Sequence, residues 1–177
     1  SGTGSNLKSL IQFTKKENSP ISIKLIISDN PKARGLKFGK IFKISNKVFN
    51  YKNHIIAEKK IISEIKKKKI KLICLAGFMK ILSKDFIKTF KGKILNIHPS
   101  LLPKYKGLNT HQLVISNNEK YSGCTVHFVN SRLDSGKIIL QKRVKISKFD
   151  TAKSLEKKIL IQEHKLYPKA ISKIFSL

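Results

Sequence analysis

A chain of 177 residues with 40% apolar side chains is long enough to bury one hydrophobic core and too apolar for a disordered polymer. No apolar run approaches the roughly 20 residues that cross a bilayer, and no secretory signal is legible, so the expectation is a cytoplasmic protein with no membrane partner. The net charge of +28 excludes an acid-rich surface and raises nucleic acid as a partner, but only Arg34, Arg132 and Arg143 among the 38 cations carry the planar fork that reads bases and clamps phosphates, so no nucleic-acid partner is expected.

In chain order, the opening Ser1-Gly2-Thr3-Gly4-Ser5-Asn6, followed by Leu7 and Leu10, reads as a glycine loop entering a helix. Backbone amides at such a helix start suit a phosphate; a short Gly-Ser stretch is equally what a floppy terminus looks like. Ile21 to Ser28 reads as a strand closed by the turn signal Asp29-Asn30-Pro31. A helix is expected around Ala57 to Lys68, a near-continuous apolar strand at Lys71 to Ala76, a short helix near Ser83 to Phe90 and a strand at Lys93 to His98. This alternation predicts an α/β fold, Rossmann-like, with a mainly parallel sheet covered by helices on both faces. A helix near Thr110 to Ser116 and strands at Thr125 to Val129 and Ile138 to Val144 follow. A long last helix starts near Asp150 or Thr151, and Pro168 is expected to kink or break it just after Tyr167. No linker or repeat divides the sequence, so residues 1–177 are expected to form a single domain.

In open α/β sheets, ligands bind beyond the carboxyl ends of the strands. There the chain places Gly77-Phe78-Met79 after one strand and Asn96 and His98 at the end of another. Two residues apart on a strand, Asn96 and His98 share a face, and Pro99 ends the strand behind them. An amide and an imidazole side by side can donate to one oxygen, as stabilising an oxyanion requires; they can equally cap the turn that follows. Asp134, one of four aspartates, lies in Leu133-Asp134-Ser135-Gly136. It is placed either to reach His98 or to serve as an Asx-turn residue before glycine.

In the last helix, Ala152, Leu155, Ile159, Leu166, Ala170 and Ile174 form an apolar stripe, and Glu163 falls in register with it. A carboxylate at a core position needs a polar partner, either a ligand or a lysine. Thr125 and His127 share a strand face, and His127 is expected to be a satisfied structural histidine rather than one that borders the site. Cys74 and Cys124 form no C-x-x-C pair and lack zinc spacing, so no metal is expected.

Six stretches in order resemble the phosphoribosylglycinamide formyltransferase family of the formyltransferase superfamily. They are the Ser1 to Asn6 loop, Ala76-Gly-Phe-Met-Lys-Ile-Leu82, the run from Leu95 through Asn96-Ile-His98-Pro-Ser to Leu108, Gly123 to Val129, Leu133-Asp-Ser-Gly136 and Gln162-Glu-His164. The run from Leu95 to Leu108 is the specific one. The resemblance implies transfer of a formyl group from 10-formyltetrahydrofolate, a co-substrate, to the amine of glycinamide ribonucleotide in purine biosynthesis, by a monomer or homodimer. It assigns Asn96, His98 and Asp134 to catalysis, with Asp134 keeping His98 protonated and helping a proton pass from the amine to the folate. It assigns Gly4, Ser5 and Asn6 to the substrate phosphate and Glu163 to the ribose hydroxyls. His54, Met79, Lys80, Ile81, Leu82 and Asn96 would line the folate site.

The sequence departs from the family at Lys80 and His54, where arginines are usual, and at Asn109 and Lys137, where histidine and proline are common. The family also carries an apolar strand directly before the glycine loop. The residues given start inside that loop, so the first strand is expected to be missing from the chain.

Overall fold

The computed structural model describes residues 3–175; Ser1 and Gly2, the start of the predicted glycine loop, lie outside the described residues. The chain divides into two compact units, Ser1–Ile94 and Leu95–Leu177.

The first unit runs α1 (Ser5–Thr14), β1 (Ile26–Ser28), α2 (Gly35–Ile41), β2 (Asn46–Val48), α3 (His54–Lys67), β3 (Leu72–Leu75) and α4 (Lys84–Thr89). β1 and β2 pair in parallel, with Ile26 opposite Asn46 and Ser28 opposite Val48. The strand expected from Ile21 is therefore shorter than predicted, because β1 extends only as far as the three residues of β2 that pair with it. α2 and β2 have no counterpart in the sequence reading. Two glycines dilute the helical pattern of α2, yet a side chain on Gly39 would meet Asn46 Nδ2 at 2.5 Å. Close packing of helix on strand, not helix propensity, places glycine there. α3 is capped by Asn53, whose side chain accepts the Ile56 N–H at 3.1 Å, and α4 by Ser83, which accepts the Phe86 N–H at 3.0 Å.

β4 (Lys93–His98) carries the chain into the second unit, which continues through α5 (Thr110–Ser116), β5 (Tyr121–Phe128), β6 (Ile138–Lys145) and α6 (Ala152–Ile174). β5 pairs antiparallel with β4, Asn96 opposite His127 and His98 opposite Thr125. β6 pairs antiparallel with β5, with a register irregularity between Val126 and His127. One face of this sheet packs on α6, where Leu155, Ile159, Tyr167, Ala170 and Ile171 are fully buried with Leu95, Cys124 and Val126. The Tyr167 hydroxyl donates to the Leu95 carbonyl at 3.1 Å, tying the helix to the strand that carries Asn96 and His98.

α6 starts where expected, behind a reciprocal capping box of Thr151 and Ser154. It does not break at Pro168, however, and runs to Ile174. A proline inside a helix forfeits one N–H donor, but Leu166, Tyr167, Ala170 and Ile171 are buried on both sides of it, so packing holds the turn that the missing hydrogen bond would weaken. No helix among the described residues is long and apolar enough to cross a membrane.

Candidate active site

The second unit brings Asn96, His98 and Asp134 together. The alternation of β4 buries Leu95 and Ile97 on one side and turns Asn96 and His98 to the other. Across the ladder, the irregularity at Val126/His127 marks where β5 changes course beside His127. Asp134 comes from the loop joining β5 to β6, with a left-handed backbone, φ 43°. Aspartate is among the few non-glycine residues that tolerate this region. The turn itself is held by Asn130, which accepts the Arg132 N–H at 2.9 Å and donates to the Ser135 carbonyl at 3.2 Å. Gly136 is required after it: a Cβ there would lie 1.6 Å from the Phe128 carbonyl oxygen. Asp134 is thus a turn residue by backbone, while its side chain reaches toward His98 and Gly107 rather than back to its own turn as an Asx-turn residue would.

The Asp134 side chain is 7% exposed, and its two oxygens have different neighbours. Oδ2 accepts the Gly107 N–H at 2.9 Å and stands 3.4 Å from His98 Nδ1. Oδ1 faces His127 Nε2 at 3.6 Å, an ion-pair distance rather than a hydrogen bond. Burial pushes the carboxyl up, but the His127 ring, the Gly107 amide and the His98 and His127 charges outweigh it and hold Asp134 below the usual carboxylate range.

His98 is buried, with oxygen on both sides of its ring. Nε2 donates to the Tyr105 carbonyl at 2.8 Å, and Nδ1 faces Asp134. A doubly protonated ring satisfies both acceptors. The loop that supplies the Tyr105 carbonyl is fixed from below. Thr125 Oγ1 donates to the Ser100 carbonyl at 2.6 Å and receives the Leu102 N–H at 3.1 Å and Gln141 Nε2 at 2.9 Å.

Asn96 is oriented by His127. His127 Nδ1 lies 2.8 Å from the Phe128 carbonyl oxygen, and Nε2 stands 3.4 Å from Asn96 Nδ2. The amide nitrogen of Asn96 therefore points into the cluster, and its second N–H is left for another acceptor. The sequence reading favoured a structural histidine at 127 over one bordering the site; His127 lies beside Asn96 and Asp134, brought there by the pairing of β5 with β4.

Glu163 is buried on α6, 6% exposed, at the core position its spacing predicts. Burial and the Glu163 charge push the Cys124 thiol up to about 12. A thiol that stays protonated at neutral pH is a core residue, not a nucleophile.

The remaining predicted site residues lie in the first unit. Gly4 is the N-cap of α1 in a left-handed conformation, φ 78°, and a Cβ there would meet Gly35 Cα at 2.9 Å, so only glycine fits. Ser5 and Asn6 form the first turn, which contains no acidic residue to oppose an anion. Met79, Lys80, Ile81 and Leu82 form the irregular segment from β3 to α4, with Met79 and Ile81 exposed and Leu82 buried. His54 is the exposed first residue of α3. Among the described residues, no group of three or more His, Cys, Asp or Glu side chains is arranged to hold a metal ion.

Known proteins resemble this chain over nearly its whole length. A family model described as formyl transferase matches residues 1–171. The phosphoribosylglycinamide formyltransferase of Haemophilus influenzae is 41% identical over 174 residues, covering 97% of this chain and 82% of that protein. The human trifunctional purine biosynthetic protein adenosine-3 is 41% identical over 179 residues, covering 99% of this chain; the chain spans only 18% of that protein's length. Among solved structures, the phosphoribosylglycinamide formyltransferase of Bacillus halodurans superposes with a TM-score of 0.94 at 35% identity, over 99% of this chain and 92% of that one. The chain belongs to the formyl transferase family.

Proposed function

We propose that this chain transfers the formyl group of 10-formyltetrahydrofolate to the amine of glycinamide ribonucleotide, giving formylglycinamide ribonucleotide and tetrahydrofolate, a step of purine biosynthesis. The observation that carries the reading is the convergence of Asn96, His98 and Asp134 in a chain of the formyl transferase family.

The chemistry follows from the groups present. The amine attacks the formyl carbon, the carbonyl oxygen gains negative charge, and collapse expels the folate nitrogen, which must receive a proton. The free N–H of Asn96 and an N–H of His98 donate to the developing oxyanion. Both His98 nitrogens have partners within the chain, so Nε2–H reaches the oxyanion by exchanging the Tyr105 carbonyl for it. Such rearrangement on substrate binding is ordinary for catalytic hydrogen bonds. Asp134 holds the charged imidazole, and water beside it carries the proton from the attacking amine toward the folate nitrogen.

Gly4, Ser5 and Asn6 hold the substrate phosphate through the first-turn amides of α1, and Glu163 accepts the ribose hydroxyls. The exposed backbone of Met79 to Leu82, with Asn96 and His54, receives the folate. On this reading residues 1–177 act as a single formyltransferase domain, in the cytoplasm, without a metal and without nucleic acid as a partner.

The test is single-turnover formyl transfer with wild type and Asn96→Ala. Loss of transfer by about 10²-fold or more with an unchanged circular dichroism spectrum supports the reading; an unchanged rate removes Asn96 from the chemistry.

A further inference from the structure

Glu58 and Glu163 are the buried glutamates among the described residues, 5% and 6% exposed, and of the two the proposed chemistry uses only Glu163. Glu58 lies on α3, three and seven residues before Ile61 and Ile65, on the face that those buried isoleucines turn inward. Packing alone asks for an apolar side chain there, since a buried ionised group is costly unless it is fully hydrogen-bonded.

Three donors meet it. Oε1 accepts the Tyr51 hydroxyl at 3.0 Å and the Ser83 N–H at 2.9 Å, and Oε2 accepts the Ser83 hydroxyl. The carboxylate thus grips Ser83 by backbone and side chain together, while the serine oxygen caps α4. Ser83 is the residue directly after Met79 to Leu82. At the other end of that segment, the Tyr51 ring packs edge-on against Phe78, with centroids 5.4 Å apart. Burial, then the hydrogen bond and charge of Glu58, push the Tyr51 hydroxyl well above its usual range, so it remains a donor.

The segment held in this way is otherwise loose. The backbone of Met79, Lys80, Ile81 and Leu82 makes no hydrogen bond with other described residues, and the Met79 and Ile81 side chains are 59% and 69% exposed. Free amides and carbonyls beside apolar side chains suit a flat heterocycle with donors and acceptors on one edge. Such an arch is useful only if its ends are fixed.

We propose that Glu58 is a positioning residue for folate: one buried carboxylate fixes both ends of the 79–82 arch, directly through Ser83 and through Tyr51 against Phe78. This rests on the proposed function above only in taking the arch as the folate site.

The test is steady-state kinetics with 10-formyltetrahydrofolate and glycinamide ribonucleotide, together with melting curves, for wild type, Glu58→Gln, Ser83→Ala and Tyr51→Phe. Glutamine keeps the shape but turns one acceptor into a donor facing Ser83. The expected result for Glu58→Gln is a rise of about tenfold in KM for the folate, the size of one lost buried hydrogen bond, with kcat and KM for the ribonucleotide within about twofold. Ser83→Ala and Tyr51→Phe should each raise the folate KM about threefold. A folded Glu58→Gln enzyme with wild-type folate KM overturns the proposal, as does a parallel change in kcat and both KM values. If Glu58→Gln does not fold, an unchanged folate KM in both other variants overturns it equally. If wild type does not formylate the ribonucleotide, the proposed function fails, and the inference is then decided by Kd for tetrahydrofolate: about tenfold weaker binding to Glu58→Gln supports it, equal binding overturns it.

Discussion

His98 Nδ1 stands 3.4 Å from Asp134 Oδ2, and that same oxygen accepts the Gly107 N–H at 2.9 Å. The backbone amide fixes the carboxylate, so the carboxylate can fix the ring. Asp134→Asn keeps the shape and the contact with Gly107 but removes the charge that balances the imidazolium. We expect kcat to fall by about 10²-fold or more with little loss of thermal stability; rapid-quench kinetics and melting curves measure both.

Asn96 depends on His127 for its orientation, through the 3.4 Å contact across the ladder. His127→Phe fills the space but removes that contact, leaving the amide free to turn. The expected outcome is a drop of about tenfold in kcat, larger than the change in either KM, read by steady-state kinetics with both substrates.

Glu163 sits in the apolar stripe of α6 with 6% of its surface exposed. Glu163→Gln should raise KM for glycinamide ribonucleotide about tenfold while kcat stays within a few-fold, the pattern of lost uniform binding. A fall in melting temperature without a change in KM would assign Glu163 to the core alone.

Acid stability follows from the depressed carboxyls, above all Asp134 and Asp150, whose side chains are buried. A hydrogen bond from Lys158, the Ser147 amide and Ser154 hold Asp150 at about 2, and Asp134 is also lowered. A carboxyl lowered on folding contributes stability that is complete above its unfolded value, about 4, and lost as pH falls through the folded one. Urea denaturation from pH 5 to pH 2 should therefore show a flatter pH dependence for Asp150→Asn than for wild type. The two should converge near pH 2, with a cost of about 1 kcal/mol at pH 5 for weakening the start of α6.

The strand that carries Asn96 and His98 was legible in the sequence because alternation determines which side chains share a face: Asn96 and His98 face one way while Leu95 and Ile97 are buried the other. Glu163 was legible for the same reason on a helix. Asp134 was ambiguous locally, because a left-handed aspartate before glycine is what a turn looks like; only its contact with His98 distinguishes it. His127 was read as structural, since no local pattern records that β5 pairs it with Asn96. Glu58 went unnoticed because its donors lie outside its helix, Tyr51 in the loop before it and Ser83 at the start of α4. The continuation of α6 through Pro168 also lies outside local propensity, being held by burial on either side.

The central claim concerns the acceptor. Wild-type protein given 10-formyltetrahydrofolate should be offered glycinamide ribonucleotide, initiator methionyl-tRNA and water in parallel, with tetrahydrofolate release and the formylated product measured in each. The account predicts rapid, stoichiometric formylation of glycinamide ribonucleotide and negligible transfer to tRNA or water; formylated tRNA or free formate as the main product would contradict it.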